Sequence, residues 1–366
     1  MYLKYLQLVN FKNHETAEFT FSAKVNGIVG ENGCGKTNLL DAIHYLSFCK
    51  SYFAAQDNFS VRFGADFFAL HGDFYSFESQ NSNRVSCTFK IAGRKTVKLN
   101  QKEYDRMSDH IGLYPLVMVS PYDNDIINED SEVRRRFFDM IISQFDREYL
   151  HQLISYQKLI VQRNRLLKQF FENGNYDAGL LHIFDEQMAP LAVYIHQKRT
   201  EFINDVLPNF QSYYDFLSDS REKVNIVYQS GLNEMSFEEG VAAHAVADRK
   251  SGYTNFGIHK DDFLFTINDN SVKRFGSQGQ QKSFALALKL AQFDYVYAKK
   301  GVKPILLLDD IFDKLDSRRI AHLLDLVGQE HFGQVFITDT DEHRIAEILE
   351  SHHIDNVIFP LSRTAR

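Results

Sequence analysis

The stretch Gly30-Glu31-Asn32-Gly33-Cys34-Gly35-Lys36-Thr37 fits G-x-x-x-x-G-K-[ST], the pattern of a phosphate-binding loop. Residues 25–29 before it read as a short buried strand, and the residues after it read as the start of an amphipathic helix. Glycines let backbone N–H groups turn inward around an anion, and the helix N-terminus adds its positive dipole end. We therefore predict a nucleotide site in which Lys36 reaches the β- and γ-phosphates and Thr37 coordinates Mg²⁺. An ordinary glycine turn would fit the same letters, but the flanking strand and helix disfavour it.

A second motif lies near the C-terminus, where the apolar run 304–308 ends in Asp309 and Asp310. An uninterrupted apolar strand is typical of a parallel sheet that is covered on both faces. A carboxylate at its C-terminal end lies at the edge where open α/β folds bind ligands. We predict that Asp309 holds Mg²⁺ through water and that Asp310 orients or deprotonates the attacking water. The alternative is a core strand that ends in a solvated turn.

A third motif, Ser277-Gln278-Gly279-Gln280, opens a long helical run and resembles the signature motif of ABC-type ATPases. The resemblance implies that Ser277, Gly279 and Gln280 help to bind the γ-phosphate of ATP held by a partner subunit, so that ATP would close a homodimer. It also assigns 314–316 to the dimer-contacting D-loop of that class. Thr338 or Thr340 stands where many relatives carry a histidine that senses the γ-phosphate.

A closer resemblance, to the RecF family of bacterial recombination-repair proteins, extends over almost the whole chain. The segments that carry it are Tyr2 to Asn13, Ser131 to Asp139, Gln162 to Lys168, Ser277 to Gln281 and Leu308 to Phe312. One departure is in the segment 257–262, where Ile258 and Lys260 replace the Pro and Arg of the family pattern. We assign no role to that segment.

The resemblance implies an ATP-dependent DNA-binding switch of recombinational repair, cytoplasmic and associated with the nucleoid. ATP would close a dimer on double-stranded DNA near gaps and at single-strand/duplex junctions, and slow hydrolysis would release it. RecO and RecR would be partners in placing the recombinase RecA on single strands. Two alternatives are an ABC-type ATPase subunit of a transport or SMC-like machine, and a nonenzymatic protein with a vestigial phosphate loop.

The predicted fold class is α/β: an ABC-type P-loop ATPase head, with a mixed sheet core and an antiparallel β subdomain, interrupted by an inserted helical lobe. Short strands surround the phosphate loop in residues 1–121, and apolar residues recur at three- and four-residue steps in 122–249. The sheet pattern returns in 250–366 with the signature and the acidic strand. The helical part lacks sustained heptads, which excludes the long coiled coil of an SMC-like protein. Pro190 and Pro208 are expected to begin or interrupt helices there.

The composition argues against nucleic-acid binding, but positive charge can still be concentrated on local surfaces. The 366 residues carry a net charge of −7, and no apolar run is long enough to predict a membrane span. Three basic clusters are candidate DNA contacts, with solvated faces or internal ion pairs as the alternative for each. They are Arg94, Lys95 and Lys98 with Lys102; Arg134, Arg135 and Arg136; and Arg163 and Arg165 with Lys168. We favour the first, which reads as an exposed hairpin with no carboxylate before Glu103.

Overall fold

The computed structural model describes residues 1–174, 176–218, 222–314, 317–328, 331–351 and 354–362. Its strands are β1 (Tyr2–Phe11), β2 (His14–Thr20), β3 (Val25–Val29), β4 (Phe67–Ser76), β5 (Asn81–Lys90), β6 (Lys95–Leu99), β7 (Lys102–Glu103), β8 (Leu116–Val119), β9 (Val224–Gln229), β10 (Asp262–Ile267), β11 (Asn270–Ser271), β12 (Ile305–Leu308), β13 (Val335–Asp339) and β14 (Asn356–Pro360). Its helices are α1 (Lys36–Phe48), α2 (Asp125–Asn128), α3 (Ser131–Ser143), α4 (Arg147–Asn173), α5 (Ala178–Ser218), α6 (Phe237–Ser251), α7 (Val272–Phe275), α8 (Gln278–Lys300), α9 (Ile311–Lys314), α10 (Ser317–Gly328) and α11 (Glu342–Ser351). None of the described helices is long and apolar enough to span a membrane.

The chain divides into two compact units, the first formed by Met1–Asp123, Phe216–Asp219 and Leu286–Arg366, and the second by Asn124–Asp215 and Ser220–Ala285. The second unit differs from the predicted lobe, 122–249, because it continues to Ala285. The reason is a strand that the helical pattern concealed: β9 lies inside the predicted lobe and pairs antiparallel with β10, which keeps both strands in one sheet. The signature segment therefore belongs to the second unit.

In the first unit, a parallel sheet in the order β14-β3-β13-β12-β8 carries the strands predicted before the phosphate loop and before the acidic pair. Because these strands are parallel, their carboxyl ends meet at one edge. A separate antiparallel sheet has the order β2-β1-β4-β5-β6-β7 among the described residues. Together with the helices of the second unit, these sheets confirm the predicted α/β fold class.

Helix α1 is buried on nearly every side because it contacts both sheets of the first unit. It packs against β1, β4 and β5 of the antiparallel sheet and against β8 and β13 of the parallel sheet. Leu39, Leu40, Ala42 and Ile43 are all fully buried. A helix that is buried on nearly every side is stable only inside a core, so the position of the phosphate loop at its N-terminus is fixed by packing.

Contrary to the prediction, the two prolines neither begin nor interrupt a helix, since Pro190 and Pro208 both lie inside α5. Each proline removes one backbone hydrogen bond and costs the helix about 3 kcal/mol. Burial compensates for that loss, because α5 places a row of large side chains in the core. The buried members of that row include Met188, Ile195, Phe202, Val206, Phe210 and Tyr214.

Arg163, on α4, holds three elements of the second unit together. Its guanidinium donates to carboxylate oxygens of Asp185 on α5 and Asp248 on α6, each at 2.7 Å, and to Thr254 Oγ1 at 2.8 Å. The side chain is only 2% exposed. The prediction that Arg163 contacts DNA is therefore wrong: both carboxylates occupy its donors inside the unit, where no phosphate can approach.

Replacing Arg163 by Met should destabilise the protein strongly. The change leaves the buried carboxylate of Asp248 and the partly buried carboxylate of Asp185 without their counter-charge, so we expect the free energy of unfolding in urea to fall by about 3 kcal/mol. Arg165→Met is the matched control on the exposed side of the same helix, and it should change that free energy by less than about 0.5 kcal/mol. Equal stabilities of the two variants would contradict this account of Arg163.

Candidate nucleotide-binding site

The phosphate loop joins β3 to α1 in the arrangement that the sequence predicts. Gly35 is the residue before the helix, with φ of 110°, and its carbonyl accepts the N–H of Leu39 at 2.9 Å. A Cβ at Gly35 would lie 2.6 Å from the side chain of Asn13 and 2.7 Å from that of His14, so only glycine fits. No side chain caps the N-terminus of α1 among the described residues. Its first N–H groups are therefore available to an anion.

Lys36 is folded back over the loop. Its ammonium donates to the carbonyl oxygen of Gly30 at 2.7 Å and lies 3.3 Å from that of Glu31, and the residue is 4% exposed. Cys34, in the same loop, is also buried. Backbone carbonyls thus hold the Lys36 ammonium in the loop interior. A phosphate bound in the loop would replace these carbonyls as its hydrogen-bond acceptor.

Thr37 and Asp309, 272 positions apart, meet at the carboxyl edge of the parallel sheet. The Thr37 hydroxyl lies 3.0 Å from both carboxylate oxygens of Asp309. Mg²⁺ prefers octahedral oxygen ligands at about 2.1 Å, which places adjacent ligands about 3 Å apart. The separation and the oxygen chemistry of this pair therefore fit a magnesium ion held by Thr37 and, either directly or through water as predicted, by Asp309.

Thr338, at the end of β13, fixes the Asp309 carboxylate and the backbone of Asp310. Its fully buried hydroxyl donates to Asp309 Oδ1 at 2.9 Å and accepts the backbone N–H of Asp310 at 2.8 Å. One hydroxyl has a single proton, so the 3.4 Å contact with the Asp310 carboxylate receives no hydrogen bond from it. Asp310 itself adopts φ of 44°, a left-handed conformation that is rare outside glycine. The hydroxyl thus braces the acidic pair, whereas Thr340 contacts its neighbour Asp339.

Burial raises the pKa of the Asp309 carboxyl from its ordinary 3.8 to about 6. The charge of neighbouring Asp310 acts in the same direction, while hydrogen bonds from Thr338 and Thr37 and the charge of Lys36 oppose the shift. A desolvated carboxylate of this kind gains most from a cation that neutralises it.

The turn between β1 and β2 packs against the loop and contains a contact that sequence reasoning missed. His14 lies with Nε2 3.1 Å from the Gly35 carbonyl oxygen, and burial lowers its pKa. Asn38, in the first turn of α1, donates to Asn13 at 2.7 Å. Lys12 is paired with buried Asp41 at 2.6 Å. The family motif that includes Asn13 was the available signal, but it does not reveal these partners.

The signature segment, in the second unit, forms the start of α8. The Ser277 hydroxyl accepts the N–H of Gln280 at 3.2 Å, and the Gln280 side chain accepts the N–H of Ser277 at 2.8 Å. This reciprocal cap leaves the hydroxyl proton of Ser277 with no acceptor among the described residues. Ser277 is exposed and Gly279 is half-buried, so a helix N-terminus and a hydroxyl donor face solvent together. Leu315 and Asp316, of the expected D-loop, lie outside the described residues.

The hairpin of the first basic cluster is exposed but not free of carboxylates, contrary to the reason for favouring it. The Lys95 ammonium lies 2.8 Å from a carboxylate oxygen of Asp57 and donates to the Cys49 carbonyl oxygen. Arg94 is exposed and lies 2.8 Å from Glu103. Lys98 is exposed, directly across from Glu103 on β7. The prediction that Lys95 contacts DNA is therefore wrong, because its ammonium links the hairpin to the end of α1.

Most residues of the second cluster also form hydrogen bonds within the protein. Arg134 forms a two-pronged hydrogen-bonded pair with Asp262 at 2.7 and 3.0 Å, with its side chain 9% exposed. Arg135 donates to the Asp261 carbonyl and to Ser131. Arg134 is thus excluded as a phosphate contact by burial and pairing, whereas Arg136 is exposed. In the third cluster, Arg165 is exposed as well.

Comparisons with known proteins agree with this geometry. The family model for the RecF/RecN/SMC N-terminal domain matches residues 2–357. The chain is 46% identical to the DNA replication and repair protein RecF of Flavobacterium johnsoniae, over 99% of this chain and 100% of that protein. It is similar to a solved structure of the recombination mediator protein RecF with ATPrS in the RecFOR pathway, at 30% identity and a TM-score of 0.87, covering 99% of this chain and 96% of the other. An Smc head bound to a winged-helix domain of ScpA shares the fold, with a TM-score of 0.58, 15% identity and coverage of 99% and 95%.

Asp309→Asn should stabilise the nucleotide-free protein at neutral pH. The folded state holds the Asp309 proton more tightly than the unfolded chain does, so stability falls as pH rises from 3.8 to about 6 and stays lower above it. Asparagine carries no charge to desolvate. We expect Tm at pH 7.5 to rise by about 2 °C, with a difference that shrinks toward pH 5. Asp105→Asn, at an exposed position in the loop after β7, is the control and should not shift Tm. A lower Tm for Asp309→Asn at pH 7.5 would refute the assigned burial cost.

Proposed function

The chain belongs to the RecF family, and from that premise we propose that it is an ATP-dependent DNA-binding switch of recombinational repair. ATP closes a homodimer on duplex DNA near gaps and at single-strand/duplex junctions, and slow hydrolysis releases the DNA. Its partners are RecO- and RecR-type proteins, with which it helps to load a RecA-type recombinase on single strands. Similarity to a recombination mediator of the RecFOR pathway, at a TM-score of 0.87, supports this assignment.

The observation that carries the nucleotide part of the proposal is the meeting of Thr37, Asp309 and Thr338 at one sheet edge. ATP would take the anion position in the loop, where Lys36 and the first N–H groups of α1 bind its phosphates. Mg²⁺ would be held by Thr37 and Asp309 and would neutralise phosphate charge. Within this arrangement, Asp310 orients or deprotonates the attacking water. Its carboxylate is one methylene shorter than the Glu that many ABC-type ATPases carry, which favours slow turnover.

In this proposal, dimerisation completes the site by joining the phosphate loop of one copy, which belongs to the first unit, to the signature of the other copy, which belongs to the second unit. In the proposed dimer, Ser277 and Gly279 of one copy donate to the γ-phosphate held by the other copy. The Gln280 side chain supports the donors by accepting the N–H of Ser277 and by donating a 2.7 Å hydrogen bond to Glu222. Closure then depends on ATP, because the nucleotide supplies the charge that the two helix N-termini share.

DNA binding has to use cations that remain exposed in a chain with net charge −7. Among the three basic clusters, the residues with exposed side chains are Arg94, Lys98, Lys102, Arg136, Arg165 and Lys168. Dimerisation doubles each of them on one particle, so duplex affinity should depend on ATP and fall steeply with salt. The alternative, an ATPase subunit of a transport or SMC-like machine, is disfavoured by 46% identity to a RecF protein over essentially the full length of both chains.

Ser277→Arg should abolish ATP-dependent dimerisation while ATP affinity of the monomer stays within about twofold. Arginine places bulk and positive charge where the γ-phosphate of the other copy docks. Sedimentation with and without ATP measures the dimer, and calorimetry measures ATP binding.

Ser236→Arg is the matched control for this variant. Ser236 forms the same reciprocal cap with Glu239 at the start of α6, so its replacement removes an equivalent cap and adds an equivalent charge elsewhere. The control should dimerise as the wild type does. Normal dimerisation of Ser277→Arg would show that the segment is only a helix cap.

Asp310→Asn should trap the closed state. Binding needs no proton acceptor, whereas hydrolysis does, so ATPase activity should fall by at least about 10²-fold while the ATP-bound dimer accumulates. Phosphate release and sedimentation provide the two readouts. Asp341→Asn, in the loop after β13, serves as the control because asparagine can still cap α11 there. Unchanged ATPase activity in Asp310→Asn would remove this residue from the mechanism.

A further inference from the structure

The end of α6 and the last turns of α4 form an exposed surface of which only Lys168 belongs to a motif named above. We call Lys168, Phe171, Arg249, Lys250 and Tyr253 the helix-tip patch; all five residues are exposed. They lie together because Gly252 ends α6 directly against α4. A methyl group on Gly252 would be 3.7 Å from the Cα of Lys168 and 3.9 Å from the Cβ of Phe171.

The patch is positively charged. Arg249 and Lys250 occupy the last turn of α6, and Lys168 adds a third cation from α4. Two local contacts involve these cations, but neither neutralises the positive charge of the patch. Lys168 lies 3.9 Å from a carboxylate oxygen of exposed Glu172, a weak pair in water. The Arg249 guanidinium lies 4.8 Å from the ring centre of Tyr176, which holds the side chain without neutralising it.

The same helix ends also carry two exposed aromatic rings. Phe171 is 62% exposed and Tyr253 is 57% exposed. An exposed phenylalanine is costly in water, and a solvated lysine face would not need it. Interleaved cations and exposed aromatic rings are the combination that binds unpaired nucleic acid, since bases stack on the rings while phosphates bind the cations.

The patch is held rigidly by buried groups beneath it. Arg163 fixes Asp248, one residue before Arg249, and Thr254, one residue after Tyr253. The Thr254 N–H also donates to the Asn164 side chain on α4 at 2.8 Å. The aromatic rings are therefore displayed on a braced backbone, which reduces the entropy that a ligand must overcome.

We propose that the helix-tip patch binds single-stranded nucleic acid, with Phe171 and Tyr253 as stacking platforms and Lys168, Arg249 and Lys250 as phosphate contacts. The inference rests on the DNA-binding function proposed above and adds a site to it. Duplex DNA stacks its bases internally and can use only the cations. The patch thus gives this protein a means to distinguish the single-stranded side of a junction from the duplex side.

The test compares a fluorescein-labelled oligo-dT strand with a duplex of equal length, in the presence of ATP. Phe171→Ala with Tyr253→Ala should weaken binding of the single strand by about tenfold or more and leave duplex affinity within about twofold. Lys168→Gln, Arg249→Gln and Lys250→Gln together should weaken single-strand binding and reduce its slope against log salt by about 2. Phe77→Ala, a similarly exposed aromatic in the first unit, is the control and should change neither affinity.

Other outcomes overturn the proposal in distinguishable ways. If the wild type binds both oligomers and the aromatic variant binds the single strand with the same affinity, the patch is not the single-strand site. The proposed function is unaffected by that result. If the wild type binds neither oligomer with ATP, the proposed function fails as well. If polyglutamate binds the patch in preference to oligo-dT, with the same variants abolishing that binding, the surface belongs to an acidic protein partner.

Discussion

The contact between the Thr37 hydroxyl and the Asp309 carboxylate is the constraint on which the rest of the nucleotide site depends. It joins residues 272 positions apart, and it can form only where parallel strands bring their carboxyl ends to one edge. The packing of α1 between two sheets fixes one partner, and the bracing hydroxyl of Thr338 fixes the other. Desolvation of Asp309 is the cost of this arrangement, which a bound cation would relieve.

Several arginines of this acidic chain are paired with carboxylates inside the second unit and therefore do not add to a basic surface. Arg163, Arg134 and Arg199 each form short hydrogen bonds to carboxylates within the second unit. Removal of one partner from such a pair is costly, so these residues organise the helices and leave ligand binding to exposed cations. The helix-tip patch depends on one of these braces, which links a structural pair to a proposed binding surface.

Much of the site could be predicted from sequence because its motifs are local. The eight residues of the phosphate loop, the acidic pair and the signature each specify their own backbone geometry and flanking elements. The fate of the basic clusters could not be predicted, because the partners of Arg163 and Arg134 are distant in sequence and come from three other helices and strands. Distant partners also explain why β9 was missed, because its partner strand follows it only after α6. They explain the continuous helix through Pro190 and Pro208 as well, because that helix depends on burial in the core.

The central claim is that one ATP site is shared by two copies of the chain. Mixing two inactive variants tests it most directly: Lys36→Ala lacks a working phosphate loop, and Ser277→Arg lacks a working signature. Neither should dimerise alone with ATP, whereas the mixture should form a heterodimer, since one complete site remains, made of the Ser277→Arg loop and the Lys36→Ala signature. Sedimentation with differently labelled variants measures it. A mixture that stays monomeric while wild type dimerises, or a variant that dimerises alone, would contradict the shared site.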